Sequence, residues 1–523
     1  MTLTTRLLIL WAFCVSFYGV PGQQKSEAQL HAERGVQLMQ AGNLPSAESE
    51  LRRAVQLAPS DPTCLAKLGI ILGMEQKLAE SNQYFQKALQ FNPNDLSIRQ
   101  NLAYNQWRLG QTEKAEDNLK RILKADPQNG EAIFLLGMLE ENLQHFASAI
   151  SLLSSVPALV KQQPEAIVAL AHSYYRTQNQ QDARRTLHIL LEGPAPPAVV
   201  YRGGQAALDA EDYMMAGDLF ASIQSSYPDP VKVGYYLALS RFRAGRFREC
   251  QDTLLQVNRV SPPTRDNYRL LGWCYAGQDK LKESVEAFSQ AVSMAPSDES
   301  TYLEVATVLI QHSKYDLALG LGQEMVRKFP RSYRAYMVQG SAQANRGLLT
   351  DAVKSFERAV ALKPDSPEAN YNLALVQNLA GFPQDALRTL ERGTKTFPRD
   401  ALHFQEYAAL LIPLAEGGDA GAESRAYAAL GTALHIDNSL SESHYLLGRL
   451  ELKDNEPGKA ARELEMAAQL DPKNGIIHLN LSRAYTRLGM PDKAATEIEI
   501  YKNSAKNEIK GGRARTGVGL RHW

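Results

Sequence analysis

The sequence predicts an all-α chain, a solenoid of about fourteen stacked helical hairpins. Three observations carry this reading. Pro228, Pro262, Pro296, Pro330, Pro364 and Pro398 stand 34 residues apart, and Pro59, Pro93 and Pro127 keep the same interval nearer the N-terminus. A fixed period of that length marks one supersecondary unit repeated along the chain. Within the period, apolar and small residues recur at helical spacing in two successive stretches. The composition, 44% apolar and 22% charged, is that of an ordered chain. Because each unit touches only its neighbours, 523 residues need not mean several unrelated domains.

The first residues stand apart from the repeats. Arg6 precedes an uncharged apolar stretch from Leu7 to Val20, and Pro21 and Gly22 lead into polar sequence from Gln23. Fourteen helical residues reach about 21 Å, short of a hydrocarbon core of about 30 Å. Residues 1–22 therefore read as a secretory signal, with Val20 and Gly22 at the small-residue positions and cleavage before Gln23. Trp11 and Phe13 crowd Cys14 too closely for a lipoprotein signal. No later stretch is apolar enough to span a membrane. The mature chain is expected to be exported, periplasmic or extracellular. With 57 basic against 57 acidic residues, no global charge draws it to nucleic acid or an anionic surface.

Removal of Cys14 leaves Cys64, Cys250 and Cys274. An odd, widely spaced set is neither a disulfide framework nor a zinc site. All three fall on expected helices, as small semi-buried hydrophobes. A bridge between Cys250 and Cys274, in adjacent units, stays open in an oxidising compartment.

The best-formed unit is 265–298, numbered so that its proline, Pro296, is position 32. Leu271 and Gly272 then hold positions 7 and 8, and Tyr275 holds 11. Ser284, Phe288 and Ala291 hold 20, 24 and 27. The spacing predicts two short amphipathic helices joined by a turn at 277–280. Small residues at 8 and 20 let the paired helices approach closely. The proline and the polar residues after it end the second helix and open the next.

These residues resemble the tetratricopeptide repeat family, whose pattern at those eight positions is W-L-G-Y-A-F-A-P. The unit from Ala28 gives Gly35, Ala47, Ala54 and Pro59; the unit from Pro62 gives Gly69, Phe85, Ala88 and Pro93. The unit from Tyr333 gives Gly340, Ala352, Phe356, Ala359 and Pro364. Later units give Leu447, Gly448, Ala460, Ala467 and Pro472, then Leu481, Tyr485, Gly489 and Ala494. Residues 28–502 hold close to fourteen units. The resemblance implies a right-handed α-α superhelix that binds protein without catalysis. Such arrays in bacterial envelopes serve secretion, polysaccharide export or outer-membrane assembly.

The register breaks in three places. The second helix of the fourth unit stops early, at 154–156. Gly193, Pro194, Ala195, Pro196 and Pro197 shorten the following unit by one residue, and the run 417–424 adds six residues as an enlarged loop. Three repeat blocks follow: 28–163, 164–416 and 425–502. The tail 503–523 carries Lys506, Lys510, Arg513, Arg515 and Arg521 against Glu508, and is expected to be a basic, fraying end.

Chemistry is not conspicuous. The ten histidines are scattered, with no HExxH and no cysteine at metal-ligand spacing. No phosphate loop or nucleophile elbow occurs, so no cofactor, metal or catalytic residue is expected. The resemblance implies that first-helix positions 2, 5, 9, 12 and 13 line a concave groove. They hold Tyr104, Trp107, Arg108, Tyr175, Arg176, Tyr201, Tyr235, Phe242, Arg243, Arg269, Trp273, Tyr371 and Tyr445. Aromatic and arginine side chains are the types that anchor interfaces. The family's carboxylate clamp needs Lys at position 5 and Asn at position 9, and neither occurs here. Only Asn101, Asn372 and Asn480 stand at position 6. The expected function is an exported scaffold holding a protein or peptide segment. The alternative is a glycan-binding accessory of polysaccharide export or processing, and a hydrolase site assembled across units is a third reading.

Overall fold

The computed structural model describes residues 26–510 and 520–521. The expected signal, residues 1–22, lies outside the described residues, as do 511–519 and 522–523 of the tail. Among the described residues there are 29 helices and no strand.

Each hairpin is built from local signals. A polar side chain closes the N-terminus of many first helices by accepting a backbone N–H: Asp61, Asp95 and Asn129, then Asp298, Ser332, Ser366 and Asp400. These caps repeat at the proline interval and satisfy donors the helix cannot satisfy itself. The turn inside each hairpin carries one residue in the left-handed region. Seven are glycines, such as Gly42 and Gly347, and seven are other residues, such as Gln76 and Asp279. That makes fourteen hairpins, and the short helix Pro157–Gln162 is the odd helix out.

The turns keep the 34-residue interval from Gly42 to Gln178 and from Glu211 to Gly381. From Gln178 to Glu211 the step is one residue shorter, the loss expected from the proline run at 193–197. From Gly381 to Gly418 and from Gly418 to Asn455 each step is three longer. Here the structure corrects the expected enlarged loop. The extra residues lengthen the two helices, Ala401–Glu416 with 16 residues and Ala420–Ile436 with 17, against 13 and 14 in the hairpin of Pro367–Leu379 and Pro383–Thr396. Only Gly417 and Gly418 form the turn, because Asp419 caps the next helix by accepting from the Ala422 N–H and the alanines after it propagate it. The fourth unit's second helix does end early, at Ser155.

The chain forms two compact units, divided between Pro263 and Thr264. In the first, one apolar cluster runs from Ala103 to Leu237 through Leu139, Leu170 and Phe220. In the second, successive clusters centre on Phe288, Phe356, Leu411 and Leu464. In both, the close approach of paired helices decides the packing. A β-carbon added to Gly272 would lie 2.7 Å from the Phe288 ring; one on Gly69 would lie 2.6 Å from the Phe85 ring. Ser284 Oγ donates to the Gly272 carbonyl at 2.8 Å, and Ser81 Oγ to the Gly69 carbonyl at 2.6 Å. In these two hairpins position 8 is thus filled by the aromatic ring of position 24, and the serine at position 20 ties the helices by a buried hydrogen bond.

Cys64 is a buried free thiol that donates to Asp61 at 3.2 Å; burial, with the Asp61 hydrogen bond, pushes it up to about 12. Cys250 and Cys274 are fully buried. Among the described residues no helix is long and apolar enough to cross a membrane.

Two stability predictions follow from this packing. Gly272→Ala should destabilise the chain by about 1–3 kcal/mol, because Phe288 is fully buried and cannot yield. Gly431→Ala, where an added β-carbon meets nothing within 4 Å, should stabilise by up to about 1 kcal/mol. Chemical denaturation of both variants checks the contrast. Glu451 is buried with Oε2 unpaired, and burial and then the charge of Glu463 push its carboxyl from 4.5 up to about 7. Unfolded chains release this proton near pH 4.5 and folded chains near pH 7, so stability falls as pH rises across that window. Glu451→Gln should therefore raise the unfolding midpoint at pH 8 and leave it nearly unchanged at pH 4, as read by thermal melts.

Candidate functional site

In the first unit, Leu96–Arg108 places Tyr104, Trp107 and Arg108 on neighbouring turns. Tyr104 meets Trp107 edge to face at 6.4 Å, and the Arg108 guanidinium lies 6.0 Å from the Tyr104 ring. Arg108 also donates to Gln76 at 3.1 Å. The two rings are half-buried against the core and Arg108 is exposed, so the three form one contiguous surface cluster.

The other first-unit candidates divide. Tyr175 is buried and donates its hydroxyl to the fully buried Asp212 at 3.0 Å, which also binds Arg184 at 2.6 Å. It is a packing residue between hairpins, not a surface anchor. Arg176 is exposed, its guanidinium 5.0 Å from the Phe146 ring. Tyr201 stacks on Tyr227 at 5.0 Å and meets Phe220 and Tyr236 edge-on. Tyr235 meets the same Tyr236 at 5.8 Å. Tyr227 and Tyr236 thus complete an aromatic cluster that the repeat positions alone did not single out. Phe242 leans on Phe247 at 5.7 Å, and Arg243 is exposed.

In the second unit, Arg269 forks onto Glu304, which raises its already high pKa despite partial burial, and reaches Asp266 at 3.3 Å. Trp273, four residues on, is half-buried and meets Phe288 edge-on at 5.7 Å. Tyr445 is half-buried, with Arg449 at 5.8 Å from its ring. Tyr371 is buried and donates to Glu406 at 3.2 Å.

What covers Tyr371 is the chain's own Arg521. Its guanidinium carbon lies 4.4 Å from the ring centre, and its two terminal nitrogens reach the two Asp400 oxygens at 2.5 and 2.6 Å. The Arg521 N–H donates to Asn372 Oδ1 at 2.8 Å, and Asn372 Nδ2 donates to the Arg521 carbonyl at 2.9 Å. Burial acts to raise the Asp400 carboxyl, but the hydrogen bonds and charges of Arg521 and His403 prevail and hold it well below the usual carboxylate range. Burial raises Glu406, with Tyr371, Gln405 and Arg521 opposing. Loss of hydration from the carboxyl of Glu442, and then the charge of Glu406, push it up to about 7.

Of the expected fraying tail, 503–523, only residues 503–510 and 520–521 are described. Helix Pro491–Lys510 carries the chain through residues 503–510, and Arg521 is docked. Its partners, Tyr371 and Asp400, lie on consecutive first helices and carry the acceptor surface a guanidinium needs. Asn372 stood out in the sequence only as an isolated position-6 asparagine, and Asp400 did not stand out at all. Among the described residues no group of His, Cys, Asp and Glu is arranged to hold a metal ion.

Comparison with known proteins bears on the whole array. Three family profiles, each described as tetratricopeptide repeat, match residues 303–367, 342–401 and 445–508, residues 74–139 and 106–166, and residues 267–298. The chain is 21% identical over 289 residues to Protein CTR9 homolog of Arabidopsis thaliana, covering 53% of this chain and 26% of that protein. It is 21% identical over 281 residues to the human Protein O-mannosyl-transferase TMTC3, covering 51% of this chain and 30% of that protein. The chain thus spans under a third of the length of these two relatives. Yeast Tom70 aligns over 93% of this chain and 99% of its own, with 16% identity and a TM-score of 0.40. The profile matches fall in both compact units, on the hairpins whose turns keep the 34-residue interval, and the chain belongs to the tetratricopeptide repeat family.

Proposed function

We propose that the chain is a non-catalytic scaffold that holds a segment of another protein on the faces of its first helices, in an exported setting such as an envelope assembly or secretion process. The observation that carries this is the Tyr104–Trp107–Arg108 cluster. It joins two half-buried rings to an exposed guanidinium without a catalytic or metal-ligating group beside it. Such rings offer apolar area at low entropic cost, and the guanidinium adds forked donors. Arg176, Arg243 and Trp273 extend the same chemistry along both units. Membership of the repeat family supports protein binding as the general role. The O-mannosyl-transferase activity in one relative's name belongs to a protein of which this chain covers 30%. Export rests on the apolar stretch from Leu7 to Val20, preceded by Arg6 and followed by Pro21 and Gly22.

Cross-linking capture from an envelope fraction tests the scaffold. Replacing Trp107, Arg108 and Trp273 with Ala should lower partner capture about tenfold or more while the helical circular dichroism is unchanged. Equal capture by that variant overturns the assignment. For export, N-terminal sequencing of the secreted or periplasmic chain should begin at Gln23. A chain found only in the cytosol overturns it.

A further inference from the structure

We propose that Tyr371, Asn372 and Asp400 form a binding site for an arginine carried on an extended protein segment. The chain's own Leu520–Arg521 is the resident occupant, and an arginine-bearing segment of a partner must displace it. The inference rests on the scaffold reading and gives it a ligand class.

The site reads three features at once. Asp400 takes the guanidinium through both oxygens, a geometry that a single ammonium cannot match. The guanidinium carbon lies over the Tyr371 ring, 4.4 Å from its centre, where the ring face attracts the cation. Asn372 spends both ends of its amide on the backbone of the same residue, which fixes the segment's direction. Both charged partners are largely removed from water, at 18% and 19% exposure, so their pairing is screened little. Leu520 adds an apolar neighbour, packing against the cluster of Met337, Leu373 and Val376.

The polar groups are placed for an occupant. Asn372 is fully buried in mid-helix, and without Arg521 its amide would lack both of these partners. Asp400 already caps its helix by accepting from the Leu402 N–H at 3.1 Å. Its excess charge, with Glu406 behind Tyr371, favours a cation over an acidic or neutral segment. The site therefore differs in sign as well as in residues from a carboxylate clamp.

The test uses full-length protein and a fluorescein-labelled peptide of residues 517–523, read by fluorescence anisotropy. Arg521→Ala removes the guanidinium from Asp400 and Tyr371 and so weakens the resident segment's hold, so this variant should bind the peptide at least tenfold more tightly than the wild-type chain, whose own segment competes. Adding Asp400→Asn should abolish the gain. Asn caps helices as well as Asp does, so that variant removes the charge and keeps the fold. A peptide with Lys in place of Arg should bind at least tenfold more weakly. Equal binding by Arg521→Ala and wild-type protein overturns the inference, as does indifference to Asp400→Asn. If that happens while the alanine variant at Trp107, Arg108 and Trp273 still loses partner capture, this site alone falls and the scaffold reading stands.

Discussion

The close approach of paired helices at position 8 is the constraint on which the hairpins depend. Gly272 leaves the space that the Phe288 ring fills, and Gly69 does the same for Phe85. Seating the ring there buries it completely and brings the Ser284 hydroxyl within reach of the Gly272 carbonyl. Everything outward of that contact follows from it. The paired helices meet through their inner stripes, so positions 5, 9, 12 and 13 of the first helix are left to face neighbours or solvent. Each hairpin's cluster is completed by the next one, serially in the second unit, while in the first unit they merge into one run from Ala103 to Leu237.

Much of this was legible in the sequence because it is local. The proline interval, the N-cap residues and the small residues at positions 8 and 20 each act within one hairpin, and the turns keep the 34-residue period except at the steps to Glu211, Gly418 and Asn455. The run 417–424 was misread for the same reason. Two adjacent glycines and a nearby third look like a loop, yet Gly421 lies within a helix capped by Asp419 and rich in alanine, and tolerates the place. Propensity outweighed one glycine.

The candidate site was legible only where anchors sit on one helix. Tyr104, Trp107 and Arg108 are separated by helical spacing and their cluster follows from it. Tyr175 could not be placed that way, since its burial depends on Asp212, 37 residues away. Arg521 and Asp400 are 121 residues apart, and no periodic pattern links a tail arginine to a capping aspartate. Asp400 has the same local role as Asp61 and Asp95, so its second role comes only from what the fold brings to it.

The lengthened hairpin, Ala401–Glu416 and Ala420–Ile436, bears on how such a chain tolerates insertions. Three added residues make nearly one helical turn, about 4.5 Å of rise, and return the next side chain close to its former direction. One such addition in a single helix would leave its partner short and strand apolar residues beyond the pair. Matched additions on both sides of Gly418 keep the facing stripes in register and move the turn outward as a whole. Length in this architecture therefore changes by symmetric increments of about a turn per helix, whereas at Pro157–Gln162, where the 34-residue interval is kept, the second helix is divided without any gain in length.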